Sequence, residues 1–152
     1  MNTSLELLYL IIFSGILAVG YSYLLSGQIL SSNAGNEKMR EIAEAIQIGA
    51  KAYLNRQYKT IAIVGLIVLI IVTYFFNFLV GFGYFIGAAL SGLAGYVGML
   101  ISVQANVRTA EASRKSLQSG LSIAFKSGAI TGLLVAGLAL LSIAIYYLIL
   151  IN

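Results

Sequence analysis

Three long runs without Asp, Glu, Lys or Arg cover residues 60–107, Leu7–Asn36 and Ser127–Asn152. A membrane-spanning helix needs roughly 20 mostly apolar residues. The run 60–107 is more than twice that length and predicts two spans, whereas each of the other runs predicts one. The chain therefore has the pattern of a membrane protein with four helices.

Composition agrees with this interpretation and excludes a soluble protein. Of the 152 residues, 60% are hydrophobic and only 9% are charged, whereas about a quarter of the residues of soluble domains are charged. The chain has no Cys, so no disulfide can form. It also has no Pro, the residue at which the helices of many transporters are broken.

The spans are expected at about residues 5–25, 60–80, 83–104 and 129–151, separated by loops at about 26–59 and 105–128. A turn between the second and third spans is expected near Asn77 and the Gly81-Phe82-Gly83 sequence. The alternative for the first span is a secretory signal peptide. The apolar stretch of this span is long for a signal peptide, and Glu6 stands where a signal peptide normally has basic residues.

The basic residues predict the orientation, because Lys and Arg near short loops stay on the cytoplasmic side. All of them lie in the loops 26–59 and 105–128. The predicted fold class is therefore an all-α membrane protein with four transmembrane helices, both termini outside, two cytoplasmic loops and an amphipathic helix in the first loop. The net charge of +4 is explained by this topology, so no nucleic-acid partner is predicted.

The first loop has the spacing of an amphipathic helix. Asn36 is a favourable N-cap residue, and apolar residues from Met39 to Leu54 recur every three or four positions. Such a helix is either a lid or docking surface for a phosphate-bearing substrate, or an interfacial helix whose apolar face contacts lipid or neighbouring helices. The spacing alone favours the second interpretation.

In the second loop, the third span is expected to continue as a helix. Its spacing allows Arg108–Glu111 and Glu111–Lys115 pairs, one helical turn apart. Gly120 is the expected break before the chain returns to the membrane.

Small residues at four-residue spacing predict close helix packing within the membrane. The third span has Gly87, Ser91 and Gly95, and the fourth has Gly128, Gly132 and Ala136. These two helices are expected to pack against each other, or against helices of another copy or of a longer chain. The second span has mostly large residues, as expected for a helix that faces lipid.

The available side chains exclude most enzyme chemistry. The chain has no His, Cys or Asp, and its five carboxylates are glutamates: Glu6, Glu37, Glu41, Glu44 and Glu111. Catalytic triads, haem ligation and ordinary zinc sites are therefore excluded. No ionisable side chain lies deep in a span, although ion pathways and proton relays need such groups.

Four segments carry a resemblance to a known family. They are Gly35–Thr60 (GNEKMREIAEAIQIGAKAYLNRQYKT), the AGYVGM and ANVRTAEA segments that begin at Ala94 and Ala105, and AFKSGAITG, which begins at Ala124. In this order they resemble the ion-translocating membrane pyrophosphatases. Gln104 departs from the family, which usually has Arg there.

The resemblance implies a sixteen-helix homodimer that hydrolyses Mg-pyrophosphate at the cytoplasmic face and drives H⁺ or Na⁺ outward. The chain resembles only the first four helices, which belong mostly to the outer ring, whereas the active site lies on later helices. No catalytic, cofactor-binding or metal-ligating residue is therefore carried over. Mg²⁺, and K⁺ as a further candidate, are expected in the parent protein and outside this segment.

The sequence thus predicts an N-terminal fragment of such a pump, with the four spans acting as scaffold and the remaining helices and lipid as partners, in the cell membrane of a prokaryote. The loops resemble the K⁺-independent proton pumps more closely than the sodium pumps. Isolated, such a fragment is expected to be poorly stable or to self-associate. Two alternatives stay open: a non-catalytic subunit of a split pump, and a small dimeric four-helix transporter that depends on Glu6.

Overall fold

A computed structural model describes residues 2–151 as four long α-helices. They are α1 (Asn2–Leu30), α2 (Glu37–Phe75), α3 (Phe78–Lys115) and α4 (Leu117–Ile151), and no strand occurs among these residues. Each of the four is long and apolar enough to cross a membrane. The predicted all-α class with four spanning helices is therefore confirmed.

Helix α2 joins the predicted amphipathic segment and the second span into one helix of 39 residues. The side chain of Asn36 accepts a hydrogen bond from the Met39 backbone N–H at 2.9 Å, which confirms the predicted N-cap. A helix this long extends about 58 Å, about twice the thickness of a hydrocarbon core. The expected amphipathic helix is present and continues into the span without a break. Its apolar residues Met39, Ile42 and Ile46 line one cavity together with Val103 and Val107 of α3.

The turn between α2 and α3 is shorter than expected and lies earlier. It consists of Phe76 and Asn77, and Asn77 caps α3 by accepting a hydrogen bond from the Val80 N–H at 2.9 Å. Gly81 and Gly83 are helical instead of forming the turn. Gly81 lies against the side chain of Thr73, and Gly83 against the ring of Tyr146. These glycines allow close contact between helices and do not mark a turn.

Ser116 connects α3 to α4, and the prediction of a helix break at Gly120 is wrong. Ser116 has extended backbone angles, and its Oγ accepts a hydrogen bond from the Ser119 N–H at 3.1 Å. Gly120 is buried within the first turns of α4, where it faces Ser113 of α3. As expected, α3 continues as a helix into the second loop, as far as Lys115.

Helix α4 lies between α1 and α3, and α2 contacts only α3 within the described chain. Buried apolar side chains from three helices form one cluster: Leu25, Ile29, Ala105 and Ile130. In contrast, no residue in the most apolar window of α2 is buried. This is the exposure expected of a helix that faces lipid.

Only some of the small residues contribute to packing within the chain. A Cβ atom on Gly98 would lie 3.0 Å from a methyl group of Thr131, so the predicted close packing of α3 and α4 is confirmed there. Gly87, Gly128 and Gly132 have open space where a Cβ atom would stand. The described residues thus leave these three positions unfilled, whereas Gly95 of the same α3 row lies against the hydroxyl of Tyr58.

Candidate functional site at the basic helix ends

The charged residues gather at one end of the molecule. This basic end comprises the C-terminus of α1, the first half of α2, the last turns of α3 and the start of α4, which the antiparallel order of the helices brings together. It carries all the Lys and Arg residues and four of the five glutamates. Glu6 lies near the start of α1, at the opposite end, and is exposed.

Arg108 fixes α3 to α1 at the basic end. Its Nη2 donates a hydrogen bond to the carbonyl oxygen of Leu30, the last residue of α1, at 2.8 Å. Its Nη1 donates to the carbonyl oxygen of Gln104 at 2.7 Å. A cation at a helix C-terminus satisfies a carbonyl that has no partner within the helix and interacts favourably with the helix dipole. The Nε atom of Arg108 is buried and has no hydrogen-bond partner among the described residues.

Glu111 pairs with Arg114, at 3.1 Å between Oε2 and Nη1. The spacing also allows pairs of Glu111 with Arg108 and with Lys115, but neither forms among the described residues. The guanidinium of Arg108 is held by backbone carbonyls instead. The Glu111 side chain is 15% exposed and that of Arg114 is 62% exposed. Glu111 also lies against Gly35, so it contacts the segment that leads into α2.

The chain turns into α2 through a short, well-defined segment. Gly35 has a φ of 84°, in the left-handed region that favours glycine. Its N–H donates to Oδ1 of Asn33 at 2.9 Å, and its carbonyl oxygen accepts from Nε of Arg40 at 3.0 Å. These bonds set the angle at which α2 begins.

Helices α2 and α3 contact each other where the basic half of α2 meets its apolar half. The hydroxyl of Tyr96 donates to Oδ1 of Asn55 at 2.9 Å. The rings of Tyr58 and Tyr96 meet edge to face with centroids 5.1 Å apart. Tyrosines favour such positions at membrane interfaces, where one end of the side chain is apolar and the other is wet. This contact holds the two halves of α2 in line along α3.

The same end contains a polar cleft of about 540 Å³ between the segment after α1, the end of α3 and the start of α4. Its polar lining comes from these three segments: Ser32, Asn33, Arg108, Glu111, Lys115, Gln118, Ser119 and Ser122. Sequence reasoning missed it, because the residues are far apart along the chain and form no motif.

The glutamates do not form a metal site. In residues 2–151, no three acidic, His or Cys side chains come together in a way that could hold a metal ion. Glu37, Glu41 and Glu44 are exposed on α2, and Glu111 is engaged by Arg114. Mg²⁺ is bound by carboxylates together with substrate phosphates, so these residues do not fit a Mg-pyrophosphate cage.

Comparisons with known proteins assign the family. The model of the family described as inorganic H+ pyrophosphatase matches residues 16–152. The K(+)-insensitive pyrophosphate-energized proton pump of Methanosarcina mazei is 43% identical over 137 residues, which cover 89% of this chain and 20% of the relative.

Two more relatives show the same range of similarity. A K(+)-insensitive pyrophosphate-energized proton pump of Caldanaerobacter subterraneus subsp. tengcongensis is 40% identical, over 97% of this chain and 22% of the relative. A putative K(+)-stimulated pyrophosphate-energized sodium pump of Bacteroides thetaiotaomicron is 41% identical, over 95% of this chain and 20% of the relative. The chain thus spans about a fifth of the length of the curated relatives it matches.

The helices and the relatives lead to the same conclusion. Four helices able to cross a membrane, together with membrane-pump relatives, make the chain an integral, multi-pass protein of a prokaryotic cell membrane. The family model covers all but the first residues of the chain, and the resemblance seen in the loops is confirmed. The chain belongs to the inorganic H+ pyrophosphatase family.

Proposed function

We propose that these residues form the scaffold part of a pyrophosphate-energised ion pump whose hydrolytic site lies on further helices. The observation that carries this proposal is the match over residues 16–152 to a family whose curated relatives are about five times as long. Hydrolysis of Mg-pyrophosphate and outward transport of H⁺ or Na⁺ are functions of the complete pump. This chain alone is not expected to be active.

The chemistry of the described residues supports this division of roles. The carboxylates are dispersed, and no charged residue occurs between Thr60 and Val107 or between Ser127 and Asn152. Both a Mg-pyrophosphate cage and an ion pathway need ionisable groups at their centre. In the proposed pump, Mg²⁺ and any K⁺ are therefore bound outside this segment.

The proposed orientation follows from the basic end. Lys and Arg near short loops stay in the cytoplasm, so the basic end faces the cytoplasm and the turn at Phe76 and Asn77 faces outside, as do both termini. Exposed apolar side chains along α2 face lipid. The open small-residue faces of α3 and α4 are available to the remaining helices of the pump, which acts as a homodimer.

The relatives include both proton and sodium pumps, so the coupled ion is a separate proposal. The loop segments resemble the K⁺-independent proton pumps more closely, which favours H⁺. Transport measured with a pH-sensitive dye and with ²²Na⁺ distinguishes the two ions in any active assembly.

A complementation experiment tests the proposal. The Methanosarcina mazei pump, lacking the segment that aligns with this chain, is co-expressed with the chain, and membranes are assayed for pyrophosphate hydrolysis and proton uptake. We expect activity only when both polypeptides are present. The matched positive control supplies the relative's own missing segment as a separate chain. Hydrolysis by the 152-residue chain alone contradicts the proposal, and so does inactivity of the pair where the control pair is active.

A further inference from the structure

The polar cleft at the basic end has no role in the proposed scaffold function, yet most of the residues that line it are charged or polar. Its volume is about 540 Å³, which leaves room for a small oxyanion and several water molecules. Three separate segments line it, so donors approach a bound group from different directions. Such convergence favours a ligand with several acceptor oxygens.

Arg108 forms the inner wall of the cleft and is already oriented. Two of its five N–H groups donate to the carbonyl oxygens of Leu30 and Gln104, which hold the guanidinium in place. Its buried Nε has no partner among the described residues. Leaving a buried donor unpaired costs about 1–3 kcal/mol. Its Nη1 and Nη2 atoms each keep one further N–H group, and these are the donors that remain for a ligand in the cleft.

Lys115, the last residue of α3, adds a second positive charge at the exposed rim. The only carboxylate in the lining is that of Glu111, and Arg114 engages it from outside the cleft. The hydroxyl group of Ser122 on α4 completes the polar wall, whereas that of Ser32 already donates to the carbonyl oxygen of Gln28. The balance of charge around the cleft is therefore positive.

The positive-inside rule does not account for this arrangement by itself. That rule explains exposed basic residues near the membrane, such as Arg114 and Lys126. It does not require a guanidinium to be held at the wall of a cleft with one N–H unpaired.

We propose that the polar cleft binds a phosphate group, with Arg108 and Lys115 as its charged contacts. A phosphate monoester offers three acceptor oxygens and close to two negative charges, which match the two cations of α3 and the side-chain donors of Asn33 and Ser122 on the other two segments. Free inorganic phosphate and the headgroup of an anionic lipid such as phosphatidic acid share this chemistry. The binding test below measures no pump activity, so its outcome does not depend on the proposed function.

Binding of inorganic phosphate is measured by isothermal titration calorimetry on the purified chain in neutral detergent, with sodium chloride at the same ionic strength as reference. Lys115→Gln is the test variant, because Lys115 is exposed and its loss does not disturb the contact between α1 and α3. Lys126→Gln is the control, since Lys126 is also exposed but does not line the cleft. We expect Lys115→Gln to weaken phosphate binding roughly tenfold, as for a lost charge-assisted hydrogen bond, and Lys126→Gln to change it less than twofold.

A second arm tests the lipid source. The chain is placed in phosphatidylcholine nanodiscs that contain either phosphatidic acid, a monoester, or phosphatidylglycerol, a diester with fewer free oxygens. Enrichment of phosphatidic acid over phosphatidylglycerol that is lost in Lys115→Gln and kept in Lys126→Gln assigns the lipid headgroup as ligand. Phosphate binding in detergent without such enrichment assigns the free anion. The proposal is overturned if the chain, monodisperse and helical by circular dichroism, binds neither ligand in a manner that depends on Lys115, or if both lysine variants weaken binding equally.

Discussion

Gly15 of α1 and Gly137 of α4 meet at the crossing of the two helices, with their backbones in near contact. A Cβ atom on either residue would lie 3.0 Å from the carbonyl oxygen of the other. In a bilayer, where the hydrophobic effect does not drive helices together, such close packing of small residues is a main source of association. The pair therefore determines how closely α1 can approach α4.

Gly137→Ala is expected to destabilise the chain by about 1–3 kcal/mol, because the added methyl group forces the helices apart. Gly132→Ala is the matched control on the same helix, where a Cβ atom meets open space. It is expected to leave the free energy of unfolding unchanged or slightly higher, since Ala favours helix over Gly. Unfolding in a detergent titration measures both variants, and equal effects would contradict this account of the crossing.

Arg108→Gln is expected to lower the free energy of unfolding by about 1–3 kcal/mol. It removes the charged donor to the carbonyl oxygen of Leu30, which joins α3 to α1. Arg114→Gln is the control and removes an ion pair whose arginine is largely exposed, for which the expected loss is below about 1 kcal/mol. A smaller loss for Arg108 than for Arg114 would show that the contact with Leu30 contributes little.

Asn36→Ala is expected to loosen the first turn of α2, because it removes the acceptor of the Met39 N–H. Loss of an N-cap costs about 1 kcal/mol, so hydrogen exchange at Met39 should accelerate roughly fivefold. Gln57→Ala, at an exposed position inside α2, should leave exchange at Met39 unchanged. Equal rates in Asn36→Ala and the unsubstituted chain would mean that another group provides the cap.

The proposed orientation is tested by single cysteines, which the chain permits because it has no native Cys. Gln118→Cys at the basic end should react with an impermeant maleimide only from the cytoplasmic side. Phe76→Cys at the opposite turn should react only from outside. Both residues are exposed, so lack of reaction is not explained by burial. The reverse pattern of labelling would contradict the orientation.

Periodicity and capping chemistry predicted the helices well, whereas the glycines were misleading. Asn36 was identified as a cap because its side chain acts on the backbone a few residues away, and local sequence is sufficient for that. Gly81 and Gly120 were expected to mark a turn and a break, yet both are helical and lie against another helix. Glycine occurs both in turns and at close contacts between helices, and only the tertiary structure distinguishes the two.

Pairing of charges at the basic end likewise depended on distant residues. The spacing of Arg108 and Glu111 allows a helical pair, but the carbonyl oxygen of Leu30 binds Arg108 from another helix. Residues from three separate segments form the polar cleft, so no local pattern indicates it.

The unbroken course of α2 has a mechanical consequence. A helix about 58 Å long without a hinge behaves as a stiff rod, and within the described chain it rests on a single neighbour, α3. A tilt of a few degrees about the contact between Tyr58 and Tyr96 would swing the two ends in opposite directions by a few ångströms. Helices α1 and α4 would keep their positions during that movement, because neither of them contacts α2. Among the described residues, α1, α3 and α4 thus form one packed group, and α2 is attached to that group through α3.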